Sequence, residues 1–149
     1  MIAADNLASY GSMARFRSVP RIIKVNDKVV AGCGGDYADF QYLSNTIEQK
    51  QIDEESHNDG FHITPKSLFS WLTRVQYNRR SKFDPFWTMW IVGGMQDGKP
   101  FLGYVDKLGT AYQEKAIASS YGAYIATPML REFTEKRTSI SEQVSGDNS

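Results

Sequence analysis

The sequence predicts an α+β domain built from antiparallel strands and amphipathic helices, on three observations. An apolar run (Ile22, Ile23, Val25, Val29, Val30, Ala31) stops at Gly32-Cys33-Gly34-Gly35, and Asp36 then precedes Phe40, Leu43 and Ile47 at helical spacing. That pattern reads as strand, tight turn, helix. Thr64-Pro65 supplies an N-cap and a first-turn proline, and Leu68, Trp71, Leu72 and Val75 follow as an i, i+3, i+4, i+7 stripe. From Pro85 to Tyr112, apolar segments alternate with turn residues, which describes a three-stranded antiparallel meander.

Composition narrows the class. A chain of 149 residues forms one domain that can bury about two thirds of its unfolded surface. With 41% apolar and 13% aromatic residues it has the material for a packed core. The formal net charge is zero, so the chain as a whole is not built to coat nucleic acid or an anionic membrane. No apolar run approaches the roughly 20 residues of a membrane-spanning helix. Met1-Ile2-Ala3-Ala4-Asp5 lacks the basic flank of a signal peptide. The single cysteine, Cys33, fits a reducing compartment, so the cytosol or nucleus is expected.

Taken in order, Met1-Ile2-Ala3-Ala4 has the look of the end of a strand, and Asp5 to Ser12 that of a loop. A basic, polar stretch from Arg15 to Arg21 leads into two short strands, Ile22 to Val25 and Lys28 to Ala31, around Asn26-Asp27. The first helix is predicted from Asp36 to Glu55, with a polar last third, and His57 to His62 is a loop. The histidines are not held at helical spacing, so a metal site is not expected there. The second helix ends among Arg74, Arg79, Arg80 and Lys82, with Tyr77 and Phe83 between them. A strand from Pro85 is predicted to end at Gly93-Gly94, and Asp97-Gly98 turns the chain into Phe101 to Val105. Lys107-Leu108-Gly109 then turns it again into Thr110-Ala111-Tyr112. Ser119 or Ser120 is predicted to cap a third helix that Pro128 kinks or restarts. Ser139-Ile140-Ser141-Glu142 reads as a capping box opening a fourth helix, followed by a polar end.

The glycine-rich turn has two possible uses. Free N–H groups at a helix start can cradle an anion, but no Gly-Lys-Ser/Thr follows, and Asp36 and Asp39 would repel a phosphate. A structural joint is the expected role.

Several segments together resemble proteasome β subunits, most closely the non-catalytic type-4 members. They are Ile2-Ala3-Ala4-Asp5, Tyr10-Gly11-Ser12-Met13-Ala14-Arg15-Phe16-Arg17 and Gly35-Asp36-Tyr37-Ala38-Asp39-Phe40-Gln41-Tyr42-Leu43. Ser70 to Arg74, Arg79 to Lys82, Phe101 to Asp106 and Tyr121 to Tyr124 add to them. The resemblance implies an N-terminal-nucleophile hydrolase fold, an αββα sandwich of two antiparallel sheets with helix pairs outside. It implies a partial domain over residues 1–143, with the first strand and the closing helix and strands missing, and a polar tail at 144–149. A chain so shortened is expected to expose sheet edges and apolar faces and to aggregate or open easily on its own.

Active members of that family use the hydroxyl of an N-terminal threonine, tuned by a lysine and aspartates. By the resemblance, Asp5 stands at the first site aspartate, Arg21 replaces the lysine, Gly35 supplies the oxyanion-stabilising backbone position, and Tyr121 replaces a serine. Arginine does not give up its proton near neutral pH. Gly109-Thr110, Gly11-Ser12 and Gly32-Cys33 are the remaining places for a nucleophile after a glycine, and none has a base beside it in the sequence reading. The expected function is therefore that of a non-catalytic structural subunit, supporting ubiquitin-dependent protein degradation in cytoplasm and nucleus. No cofactor, metal, nucleic acid or membrane is implied, and the expected partners are other α and β subunits of a hetero-oligomeric ring particle. In the family the first two helices face the neighbouring α ring and the later ones the opposite β ring. That makes Gln49 to Glu55 and Arg74, Arg79, Arg80 and Lys82 candidates for the first face, and Tyr124, Met129 and Arg131 for the second. Three other readings stand beside this one: ordinary solvated helix surface, an active threonine-type peptidase, and a free-standing module that binds nucleic acid through the basic and aromatic patch.

Overall fold

A computed structural model describes residues 1–146, and the side chains of residues 1–138. The chain divides into two compact units, Met1–Gln113 and a second that begins at Glu114. In the first unit a hairpin of β1 (Ala8–Tyr10) and β2 (Met13–Phe16) precedes a five-stranded sheet. The sheet strands are β3 (Ile22–Asn26), β4 (Val29–Gly35), β5 (Thr88–Gln96), β6 (Lys99–Val105) and β7 (Ala111–Gln113), all antiparallel and in sequence order. Helices α1 (Tyr37–Ser56) and α2 (Pro65–Ser81) separate β4 from β5. The second unit carries α3 (Gly122–Gly146). Among the described residues, two antiparallel sheets and three helices make the α+β architecture that the motifs implied.

Strand alternation sorts the core. Val29, Ala31 and Cys33 of β4 share a face with Trp90 and Val92 of β5 and Val105 of β6, and all are buried. Against them pack Phe40, Leu43 and Ile47 of α1 and Leu68 and Leu72 of α2, the residues of the two predicted stripes. Both helices begin where their caps lie. Asp36 accepts from the N–H of Asp39 at 2.9 Å, and Thr64 and Ser67 bond reciprocally as a capping box. One polar group enters this core: Gln76, one turn beyond Leu72, donates to the hydroxyl (2.7 Å) and the carbonyl (3.2 Å) of Thr88, and the Trp90 indole donates to the same hydroxyl at 3.2 Å.

Several expectations are corrected. Met1 to Ala4 form no strand. Ile2 lies over Gly32 and Gly93, 3.4 and 3.1 Å from where a Cβ would stand on each, so the segment crosses the sheet face instead of pairing along an edge. The predicted loop from Asp5 to Ser12 holds β1, because Gly11-Ser12 is a tight turn between two short strands. β5 does not stop at Gly93-Gly94 but runs through to Gln96. Gly94 is there for close approach: an added Cβ would collide with the Lys28 carbonyl oxygen and stand 2.6 Å from Pro65 Cγ, at the point where α2 starts over the sheet. Ser120 is not an N-cap, since its φ of 57° is far from the extended cap conformation and its carbonyl takes the Ala123 N–H in a turn. α3 continues past Pro128, so no new helix restarts there: the missing N–H costs one backbone bond in the second turn without stopping the good helix formers that follow. Ser139 to Glu142 lie inside α3, so they open no fourth helix, and residues 144–146 of the expected tail are helical. Residues 147–149 lie outside the described residues.

Candidate functional site

The sequence-predicted site begins with a residue pair far apart in the chain. Arg21, just ahead of β3, donates from Nη2 to the Asp5 carboxylate and from Nε to the Asp5 carbonyl at 3.1 Å. The other Asp5 oxygen accepts from the Leu7 N–H at 3.2 Å. The Arg21 carbonyl in turn takes the Cys33 N–H at 2.9 Å, which ties the pair to β4. Arg21 Nη1 lies 3.8 Å from the place a Cβ would occupy on Gly34. Asp5, Arg21 and the Gly34-Gly35 end of β4 are therefore brought together. Tyr121 lies in the second unit, exposed ahead of α3.

The chemistry of this cluster is that of a filled ion pair. A guanidinium keeps its proton throughout the physiological range, and Asp5 already accepts from it. Cys33 beside them is buried, and its thiol faces the Gly34 carbonyl at 3.5 Å. Burial pushes the thiol well above its ordinary value, with the Arg21 charge only partly opposing, so it is protonated and a poor nucleophile. Gly35 carries a φ of 108°, and an added Cβ would collide with the Trp87 carbonyl oxygen, which accepts the Asp36 N–H at 2.8 Å. The glycine-rich turn is a joint that seats α1 on β5. Thr110 is locked into the turn after β6, its N–H donating to Asp106 Oδ1 at 2.9 Å, and Ser12 sits in the exposed β1–β2 turn. His57 closes α1, its Nδ1 2.7 Å from the Asp53 carbonyl. Among the described residues no three His, Cys, Asp or Glu side chains converge.

The basic end of α2 is organised differently from a plain solvated surface. Arg79 pairs with Asp84 at 2.9 Å and lies 4.2 Å from the Phe86 ring centroid, and Phe86 stacks on Tyr42. Of the four basic candidates, Arg79 is thus engaged within its own chain, while Arg74, Arg80 and Lys82 are exposed. Lys107, from the β6–β7 turn, sits 3.3 Å over the Trp87 ring. Lys107 belongs to this surface too, yet no local pattern marks it, because its neighbour Trp87 is 20 positions away. Between α1 and α2, Lys50, Asp53, Glu54, Ile63 and Trp71 line a shallow cleft of about 210 Å³. On α3, Tyr124, Met129 and Arg131 are exposed.

The model of the family described as "Proteasome subunit" matches residues 1–145. The chain belongs to the proteasome subunit family. Proteasome subunit beta type-4 of Xenopus laevis is 54% identical over 143 residues, covering 96% of this chain and 59% of the relative. Its Drosophila melanogaster namesake is 43% identical over 133 residues, covering 89% and 50%. A probable proteasome subunit beta type-7 of Schizosaccharomyces pombe is 42% identical over 137 residues, covering 91% and 52%. The chain therefore spans 50–59% of the length of these relatives. Within this proteasome-family chain the fold is of the N-terminal-nucleophile hydrolase type, as the motifs implied. No helix among the described residues is long and apolar enough to cross a membrane.

Proposed function

We propose that this chain is a non-catalytic, structural subunit of the proteasome core particle. Its role is to shape and hold the ring assembly that carries out ubiquitin-dependent protein degradation in cytoplasm and nucleus, with other α and β subunits as partners. One observation carries the reading: Arg21, at the position the resemblance gives to a lysine, is held in an ion pair by Asp5 and, as a guanidinium, is no proton acceptor. The buried, protonated Cys33 and the turn-locked Thr110 support it, since neither is disposed as a nucleophile. The test is to recover the tagged chain in proteasome-sized particles and treat them with an irreversible threonine-directed probe. The expected result is labelling of other subunits in the particle and none on this chain. Covalent labelling of this chain, lost on changing one of its hydroxyls or its thiol, would overturn the proposal.

A further inference from the structure

The most conspicuous side chain of the first unit is Phe83. It is 97% exposed and stands on a φ of 56°, a conformation that bulky L-residues resist. The strain is not slack. The N–H groups of Lys82, Phe83 and Asp84 all return to carbonyls of Asn78, Arg79 and Arg80, so the end of α2 holds this ring outward. Near it in the chain, Tyr77 and Trp87 are part-exposed aromatics that both meet the β6–β7 turn. Gly109 of the β6–β7 turn lies against Tyr77, the same turn sends Lys107 over Trp87, and Arg80 lies 5.6 Å from the Tyr77 ring centroid. Tyr77 is 56% and Trp87 58% exposed. Aromatic and arginine side chains grouped in this way are the composition of a binding hot spot.

Charge says what kind of partner fits. α2 with its cap carries Lys66, Arg74, Arg79, Arg80 and Lys82 and no acidic residue, while α1 beside it carries Asp39, Glu48, Asp53, Glu54 and Glu55 against Lys50. Asp84 already pairs with Arg79, and among the described residues no salt bridge joins the two helices, so Arg80 and Lys82 remain the basic groups at the end of α2 without an acidic partner in α1. We infer that Phe83 is the anchor of a subunit contact, seated in an apolar socket with an acidic rim on a different polypeptide. The inference rests on the structural-subunit reading and deepens it, naming the chemistry of the partner surface. Holding the ring in its bound orientation before contact lowers the ordering cost of association.

The experiment places a photo-reactive benzoylphenylalanine at position 83 of the tagged full chain in cells and maps the cross-link in purified particles. The expected product joins position 83 to an apolar segment flanked by Asp or Glu in another subunit. In competition with the parent chain, Phe83→Gly should lower incorporation at least about tenfold, and Arg80→Glu should lower it as well, with Arg80→Lys retaining most of it. Glycine adopts positive φ freely, so Phe83→Gly should leave resistance of the chain in purified particles to pulse proteolysis in urea unchanged or raised. A purely structural role for Phe83 would lower that resistance together with incorporation, and this result would overturn the inference. A cross-link to a second copy of this chain or to a basic or neutral surface would overturn it too. So would normal incorporation without any cross-link, which leaves the subunit reading standing. Failure of the parent chain itself to enter particles would instead sink both.

Discussion

Thr88→Val isolates the buried polar node of the core. Valine matches threonine in shape but has no hydroxyl, so the change takes away the acceptor of two donors without opening a cavity. Gln76 Nε2 keeps its bond to the Thr88 carbonyl at 3.2 Å, whereas the Trp90 indole loses the acceptor at 3.2 Å. Both side chains are fully buried, so no bulk water takes over. A buried donor left unmade costs about 1–3 kcal/mol, and the net destabilisation expected here is about 2 kcal/mol. With a urea dependence of about 2 kcal/mol per molar, the unfolding midpoint should fall by about 1 M. Gln76→Met provides the second corner of a cycle. It keeps the volume and also removes Gln76 Oε1, a buried oxygen without a hydrogen-bond partner, so its own cost should stay below about 1.5 kcal/mol. The double variant should be less destabilised than the two single effects added together, by about 1 kcal/mol. Pulse proteolysis across a urea series at dilute protein gives all four corners. A midpoint for Thr88→Val within about 0.2 M of the parent, or strict additivity in the cycle, would refute the account of the node.

Two further changes follow from the same core. Gly94→Ala should cost about 3 kcal/mol, because its methyl would strike the Lys28 carbonyl, which also accepts the Met95 N–H at 3.0 Å, and would crowd Pro65; a urea midpoint shift of less than about 0.5 M would count against that packing. Cys33 should resist iodoacetamide in the folded chain and react at once in urea. Its thiol value is raised by burial, so stability on this account is full below the ordinary value of 9.0 and declines as pH climbs past it, where only the unfolded chain gives up the proton. A stability curve flat across that range, or equal alkylation of folded and unfolded chains, would contradict the burial.

The elements that could be read from the sequence were those whose cause is local. Asp36 and Thr64 sit next to the backbone they cap, and the stripes Phe40-Leu43-Ile47 and Leu68-Leu72 carry the helical period into the core. What misled was local chemistry with a non-local cause. Gly93-Gly94 resembles a strand end, yet Gly94 answers to Lys28 and Pro65, 66 and 29 positions away in the chain. Ser139 has a helix-start pattern on the page, but a capping box works only where a non-helical backbone enters a helix, and here the backbone is already helical. The hairpin β1–β2 was signalled by Gly11-Ser12 between Tyr10 and Met13, a turn obscured by the polar run that follows it. Gln76 could have been suspected, being the third member of the spacing Leu68, Leu72, Gln76 on the inner face of α2.

The site was legible to a lesser degree, and for a physical reason. Nothing in periodicity links Asp5 to Arg21; a motif resemblance suggested the pairing, and the fold supplies the contact through a guanidinium that holds both the carboxylate and the backbone carbonyl of one residue. That geometry changes what the position can do. A lysine there would present one compact charge able to lose a proton when desolvated, while arginine spends its planar fork on fixing the segment before β1 against the start of β3. Through its own carbonyl, Arg21 passes the restraint on to Cys33 in the middle of the core. The contact therefore serves as a fastening, and its contribution is read in the order of the chain's first residues.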